Sequence, residues 1–310
     1  MHSRSENVVK GMVLAAIASV MWGISGTVLQ FISQTENIPA SWFLSARTLI
    51  SGVIILVISL FVYGKKTFSV FTSWRQTMFL LAYGIFGLAA NLLTFYHSIQ
   101  LGNSAMATIL QYLSPLFIVI GSIVIERQWP LRSDMLAFVI AMVGIFLAIT
   151  KGNISSLSVP LQALLWGLGS GITAAFYVVL PRPVVAEHPP FVVLGWGTLI
   201  AGIIFNVHQP VWVGAPKLSF SLVLAIGAVI LLGTILPFGT LLYSLNFAPS
   251  DVVSIMDAIQ PLATTILSVI FFNLDLTWIE VIGLILVVVG IYILQRGRRK
   301  VVDDEEFYHP

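Results

Sequence analysis

The 310-residue chain contains no cysteine, which excludes a disulfide framework and thiol chemistry and leaves the redox compartment open. Charge is nearly as scarce. Only 9% of residues are charged against 58% hydrophobic, and a mean hydropathy of +0.98 leaves too few solvating groups to cover a water-soluble fold. Also missing are a His-Glu-x-x-His pair, a Walker-type Gly-rich loop and any soluble nucleotide-binding segment. No cofactor, metal or ATPase subunit is expected on that basis. The sequence pI of 8.9 comes from loops, so no nucleic-acid partner is expected either.

What is present is a set of ten apolar stretches, at about 10–33, 39–63, 75–98, 104–126, 132–150, 158–180, 190–209, 219–243, 250–273 and 277–296. A hydrocarbon layer about 30 Å thick takes roughly 20 apolar residues in a helix, because an unpaired backbone group in lipid costs several kcal/mol. The expected fold is therefore all-α, a polytopic membrane protein with ten transmembrane helices.

The two halves match at a fixed offset of 146 residues. Gly87 falls on Gly233, Thr94 on Thr240, Ser98 on Ser244, Ser104 on Ser250, Ile109 on Ile255, Pro115 on Pro261, Ser122 on Ser268 and Gly144 on Gly290. With a two-residue shift Trp22-Gly23 falls on Trp166-Gly167, which carries the repeat back to the first helix of each half. The domain reading is a stub at 1–9, a first repeat at 10–150, a second at 151–296 and a tail at 297–310.

Basic residues resist translocation, so their distribution orients the chain. Twelve of the fifteen Lys and Arg fall on one side: Arg4, Lys10, Lys65, Lys66, Arg75, Arg127, Arg132, Arg182, Arg296, Arg298, Arg299 and Lys300. Lys151 and Lys217 fall on the other, and Arg47 lies within a helix. Both termini are expected in the cytoplasm, in a plasma (inner) membrane. The first helix has a signal-peptide-like run at Ala15 to Ala18, but its removal would leave the second repeat's first helix unmatched. Five helices per repeat make the two copies inverted, and inverted repeats place a site at their interface near the midplane, open alternately to each side.

These residues together resemble the EamA group of the drug/metabolite transporter superfamily. The likeness rests on Trp22-Gly23, Arg47, the run from Tyr96 through Ser104, Ala107, Pro115 and Glu126 to Gly144, and its echo in Trp166-Gly167, Ser250, Pro261 and Gly290. It covers about residues 10 to 296. Gln260 and the stretch from Asn273 to Asp275 stand where the family's second half usually has Glu, so no carboxylate role carries over to them. The resemblance implies transport, often efflux, of amino acids and related metabolites through a central cavity lined mainly by helices 3, 4, 8 and 9, with help from 1 and 6.

An ionisable group at membrane depth costs several kcal/mol unless it faces a cavity or a partner. Asp257 and its repeat equivalent Gln111 each precede a matched proline by four residues. Pro115 and Pro261 lie roughly 16 Å deep at 1.5 Å per residue, near the midplane, where a proline frees carbonyls and bends the helix. Gln111, Tyr112, Ser114, Asp257 and Gln260 are the expected cavity wall, with Pro115, Pro261 and Pro237 as hinges. Asp257 is the candidate coupling residue for a proton. The alternative is that Gln111 and Asp257 lock neighbouring helices together. Arg47, roughly 12 Å from its helix end, either clamps helices or holds a substrate carboxylate. Asn91 and Tyr96 are further binding candidates, and His97 is a second coupling candidate or an interface residue.

Trp42, Trp74, Trp129, Trp212 and Trp278 lie near helix ends, as interfacial belts do. Trp22 and Trp166 lie deeper, as packing or cavity lining. Gly23-Ile24-Ser25-Gly26 superficially resembles the serine motif of intramembrane proteases, but the duplicated architecture does not fit, and only His97 could approach, with nothing to place it there. The expected function is a secondary transporter moving small metabolites, most plausibly amino acids in the export direction, by alternating access. The alternatives are a channel and, behind it, the protease.

Overall fold

The computed structural model describes residues 2–127, 131–151, 159–248, 253 and 256–308; Trp129, Ser250 and Ile255 lie outside them. Among the described residues the protein is helical, without strands. Eight helices are long and apolar enough to cross a membrane: α1 Val8–Thr35, α2 Ala40–Phe71, α3 Trp74–Leu101, α4 Ser104–Val124, α5 Arg132–Thr150, α6 Leu161–Val185, α7 Pro190–His208 and α8 Phe220–Ser244. Two shorter apolar helices follow, α9 Ile259–Phe272 and α10 Trp278–Leu294. The protein is a polytopic all-α membrane protein. Its outward faces are apolar, with Phe61, Trp74, Trp212 and Trp278 among the most exposed side chains, a surface suited to lipid and not to water.

The helices do not pack repeat by repeat. Helix α1 packs on α8 and α9, and α6 packs on α3 and α4, so each repeat lends its first helix to the other half. The matched Trp-Gly pairs explain how. A side chain at Gly23 would lie 2.8 Å from Cβ of Ala263 on α9, and one at Gly167 would collide with Leu110 on α4. Only a bare backbone admits the partner helix this closely. The remaining helices pair across the repeats, α2 with α7 and α5 with α10. At the second crossing Gly144 faces Gly283, where a Cβ would sit 2.7 Å from the carbonyl oxygen.

Four central helices depart from regular α geometry, and they do so in matched pairs. Helix α4 breaks into Ser104–Gln111 and Ser114–Glu126 around a turn at Tyr112 and Leu113. Near the start of α9, Val253 and Met256 are helical, Asp257 and Ala258 form a turn, and the helix resumes at Ile259. Asp257 therefore lies at a helix break, where the sequence alone suggested an unbroken helix from 250. Pro115 and Pro261 follow these turns and supply no N–H to the residues four positions back, Gln111 and Asp257. Helices α3 and α8 widen into π turns at Tyr83–Ala89 and Leu231–Ile235. The second coincides with residues 85–89 shifted by the 146-residue offset. Pro237 follows the π turn in α8, yet Asn91 occupies the matched place in α3, so the proline alone does not cause the widening.

Candidate functional site

The breaks and π turns surround one cavity of about 340 Å³, within the size range of small-molecule sites. Its wall takes residues from α1, α2, α3, α4, α6, α7 and α8 and from the α9 break. The polar and ionisable ones include Ser25, Arg47, Asn91, Gln111, Tyr112, Asp257 and Gln260.

On the α3/α4/α6 side the polar groups are tied to one another. Gln111 Nε2 donates to Asn91 Oδ1 at 3.2 Å and to Ser170 Oγ at 3.1 Å. Asn91 Nδ2 donates in turn to the Ser170 carbonyl at 3.0 Å and to Thr173 Oγ1 at 3.3 Å. Both amide hydrogens of Gln111 are thereby engaged, leaving Oε1 as its free acceptor. The opposite side is less constrained. Asp257, the repeat equivalent of Gln111, accepts one hydrogen bond from Ser19 Oγ at 3.3 Å, and that hydroxyl also reaches the Ala15 carbonyl. Arg47 is buried and donates through Nη2 to Thr234 Oγ1 at 3.4 Å. Arg47 and Asp257 share the cavity without forming an ion pair with each other.

Eight of the ten residues expected to bind substrate line this cavity: Gln111, Tyr112, Ser114, Asp257, Gln260, Asn91, Trp22 and Arg47. Tyr96 and Trp166 do not. The Tyr96 hydroxyl donates to the Ile38 carbonyl at 2.7 Å and its ring stacks on Phe43, so it fastens α3 to the start of α2. Helix α6 turns Ala174, Tyr177 and Val178 to the cavity, whereas Trp166 lies roughly 12 Å before Ala174 along the helix axis at 1.5 Å per residue, partly exposed and 4.9 Å from the ring of His97. His97 is outside the cavity lining. The aromatic lining also contains Phe95, Tyr177 and Phe238, the last meeting Trp22 edge to face at 5.1 Å. Thr198 and Thr234 were not candidates from sequence, and Ser25 was weighed only as a protease serine, since hydroxyl residues are common in membrane helices and only packing shows which face a cavity.

The end of the cavity distant from Val8 is sealed by hydrogen bonds. Gln34 Nε2 donates to the carbonyls of Ile99 and Gly102, each at 2.8 Å. Gln30 Oε1 accepts from Ser104 N at 2.9 Å and Oγ at 2.8 Å, and Ser104 Oγ lies 2.9 Å from Ser268 Oγ. Trp42 Nε1 donates to the Val211 carbonyl at 2.8 Å, and Ser45 Oγ to that of Gln209 at 2.7 Å. The lining residues Leu29 and Phe95 lie beneath this seal, whereas Val178 and Leu241 extend the wall towards the end that carries the termini.

The duplication is also found by comparison with known proteins. The model of the EamA-like transporter family matches twice, at residues 9–150 and 161–296. The chain belongs to the EamA-like transporter family. It is 30% identical over 291 residues to an uncharacterized inner membrane transporter, YicL, of Salmonella typhimurium, covering 94% of this chain and 97% of that protein. It is also 30% identical over 221 residues to the threonine/homoserine exporter RhtA of Salmonella typhimurium, covering 69% of this chain and 72% of the exporter. A crystal structure with 16% identity superposes with a TM-score of 0.61 over 95% of this chain and 99% of that one, a likeness of fold. The protein is therefore a multi-span membrane transporter, and the family and its relatives point away from an enzyme.

Proposed function

We propose that this transporter is a secondary carrier that exports amino acids or closely related metabolites across an inner membrane, with both termini in the cytoplasm, by alternating access at the central cavity. One observation carries the reading: a single cavity, bounded by the matched helix breaks of two homologous halves, holds an arginine and a carboxylate unpaired with each other. A scaffold has no use for such a pair at membrane depth, where each charge is costly. The relative that exports threonine and homoserine supports amino acids as the substrate class. With the termini inside, the sealed end faces outward and the cavity is directed to the cytoplasm. The moving bodies follow the packing: α1/α8/α9 against α3/α4/α6, with first helices exchanged, and not one sequence repeat against the other. Asp257 is the coupling carboxylate, the only one in the lining among the described residues.

The test is counterflow in proteoliposomes loaded with unlabelled threonine, homoserine and a wider pool of amino acids, amines and small carboxylates. Stimulated entry of labelled threonine or homoserine supports the reading. Entry that neither saturates nor responds to internal substrate makes the protein a channel and overturns it.

A further inference from the structure

Arg47 is 7% exposed, and among the described residues its only side-chain hydrogen bond is the long one to Thr234 Oγ1 at 3.4 Å. A guanidinium carries five N–H donors, so nearly all of its capacity is unused. Among the described residues no carboxylate lies within 4.0 Å of it, and Asp257 is engaged with Ser19 instead. A buried cation without a counter-charge is disfavoured, and at membrane depth water does not compensate freely. The missing anion must come from outside the chain.

The surroundings of the guanidinium suit one kind of anion. Ser25 on α1 is buried and its hydroxyl has no partner among the described residues. At Gly233, in the π turn of α8, a Cβ would collide with Ser25 Oγ and lie 3.2 Å from Arg47 Nη2. Three helices thus bring a guanidinium and two hydroxyls, Ser25 and Thr234, around one backbone position that has no side chain. The Thr108 and Thr198 hydroxyls, also in the cavity wall, are buried and unpartnered. A planar fork of N–H donors matches the two oxygens of a carboxylate, and neighbouring hydroxyls supply further donors.

We infer that Arg47, Ser25 and Thr234, with Gly233 as the bare floor between them, form the subsite that receives the carboxylate of the transported solute. The assignment rests on the carrier reading above and adds a polarity to it. The carboxylate binds beside α2 and α8, and the rest of the molecule extends towards the acceptors Gln111 Oε1 and Asp257.

The experiment uses the full chain in lipid nanodiscs and reads thermal stabilisation by L-threonine and propionate, by their uncharged analogues L-threoninamide and propionamide, and by methylphosphonate. The acids are expected to stabilise the protein and the amides not to. Arg47→Gln should abolish that preference. Ser25→Ala and Thr234→Val should each weaken threonine binding about fivefold or more, the scale of one hydrogen bond. The two hydroxyl variants remain decisive if Arg47→Gln does not fold. Amides that bind as well as acids, hydroxyl variants that leave threonine affinity unchanged, absence of stabilisation by either acid, or a preference for methylphosphonate would each overturn the assignment. Its failure is separable from that of the carrier reading. Counterflow of a solute lacking a carboxylate removes the subsite and keeps the carrier, whereas acid-selective binding without counterflow does the reverse.

Discussion

Asp257 and Gln111 occupy equivalent positions in the two repeats, yet their surroundings differ. Gln111 is held by two hydrogen bonds from its amide, whereas Asp257 has the single contact from Ser19. A fixed amide is a binding element; a loosely held carboxylate is able to take up and release a proton as the cavity changes sides. Asp257→Asn should therefore abolish accumulation driven by an imposed pH gradient and leave some counterflow. Unchanged gradient-driven accumulation would remove Asp257 from coupling. At Gly233 the argument is steric. Ala there would press on Ser25 and Arg47, and such overpacking costs about 1–3 kcal/mol. Gly239, six residues further along α8, has nothing within 4 Å of where a Cβ would stand. Gly233→Ala should lower both the melting temperature and the counterflow rate, and Gly239→Ala should lower neither; similar effects from the two would mean that the π turn relaxes around an added methyl group.

At the scale of elements, a bend before Pro115 and Pro261 was legible, because a proline removes an N–H and crowds the preceding turn and the two share one repeat position, but the complete breaks in α4 and α9 were not. The π turns were not legible. Gly87 and Gly233 mark them, but a glycine in an apolar helix is equally compatible with tight packing, and only the backbone distinguishes the two. Depth explains why Trp166 misses the cavity: it has the right repeat position and nearly the helix face of Tyr177, but it lies roughly 12 Å along α6 before Ala174 at 1.5 Å per residue. If the turn at Tyr112 and Leu113 exists because residue 115 offers no N–H, Pro115→Ala should let α4 run through, redirect Gln111 and slow counterflow, with rigidity the cause and binding little changed. Measured threonine affinity within about threefold of the original, less than one hydrogen bond in scale, together with a lower exchange rate would fit. An unaltered rate would show that the break does not need the proline.

For the whole molecule, the duplication and membrane class were readable because composition and a gapless offset need no tertiary information. The exchange of α1 and α6 between halves was not, since it depends on which of several close approaches of Trp-Gly helices is realised. That exchange dictates where the two moving bodies meet. Ser104 on α4 and Ser268 on α9 belong to opposite bodies, and their hydroxyl oxygens are 2.9 Å apart in the seal at the end distant from Val8. Among the described residues no other side-chain hydrogen bond joins these two helices, so opening that end must separate this pair. Because the chain has no cysteine of its own, Ser104→Cys/Ser268→Cys introduces the only two thiols in it. Oxidation should link the two bodies and stop counterflow, reduction should restore it, and each single variant should transport in both conditions. Continued transport by the fully cross-linked protein would mean that α4 and α9 stay together throughout the cycle, and that the opening at this end lies between α2 and α7 instead.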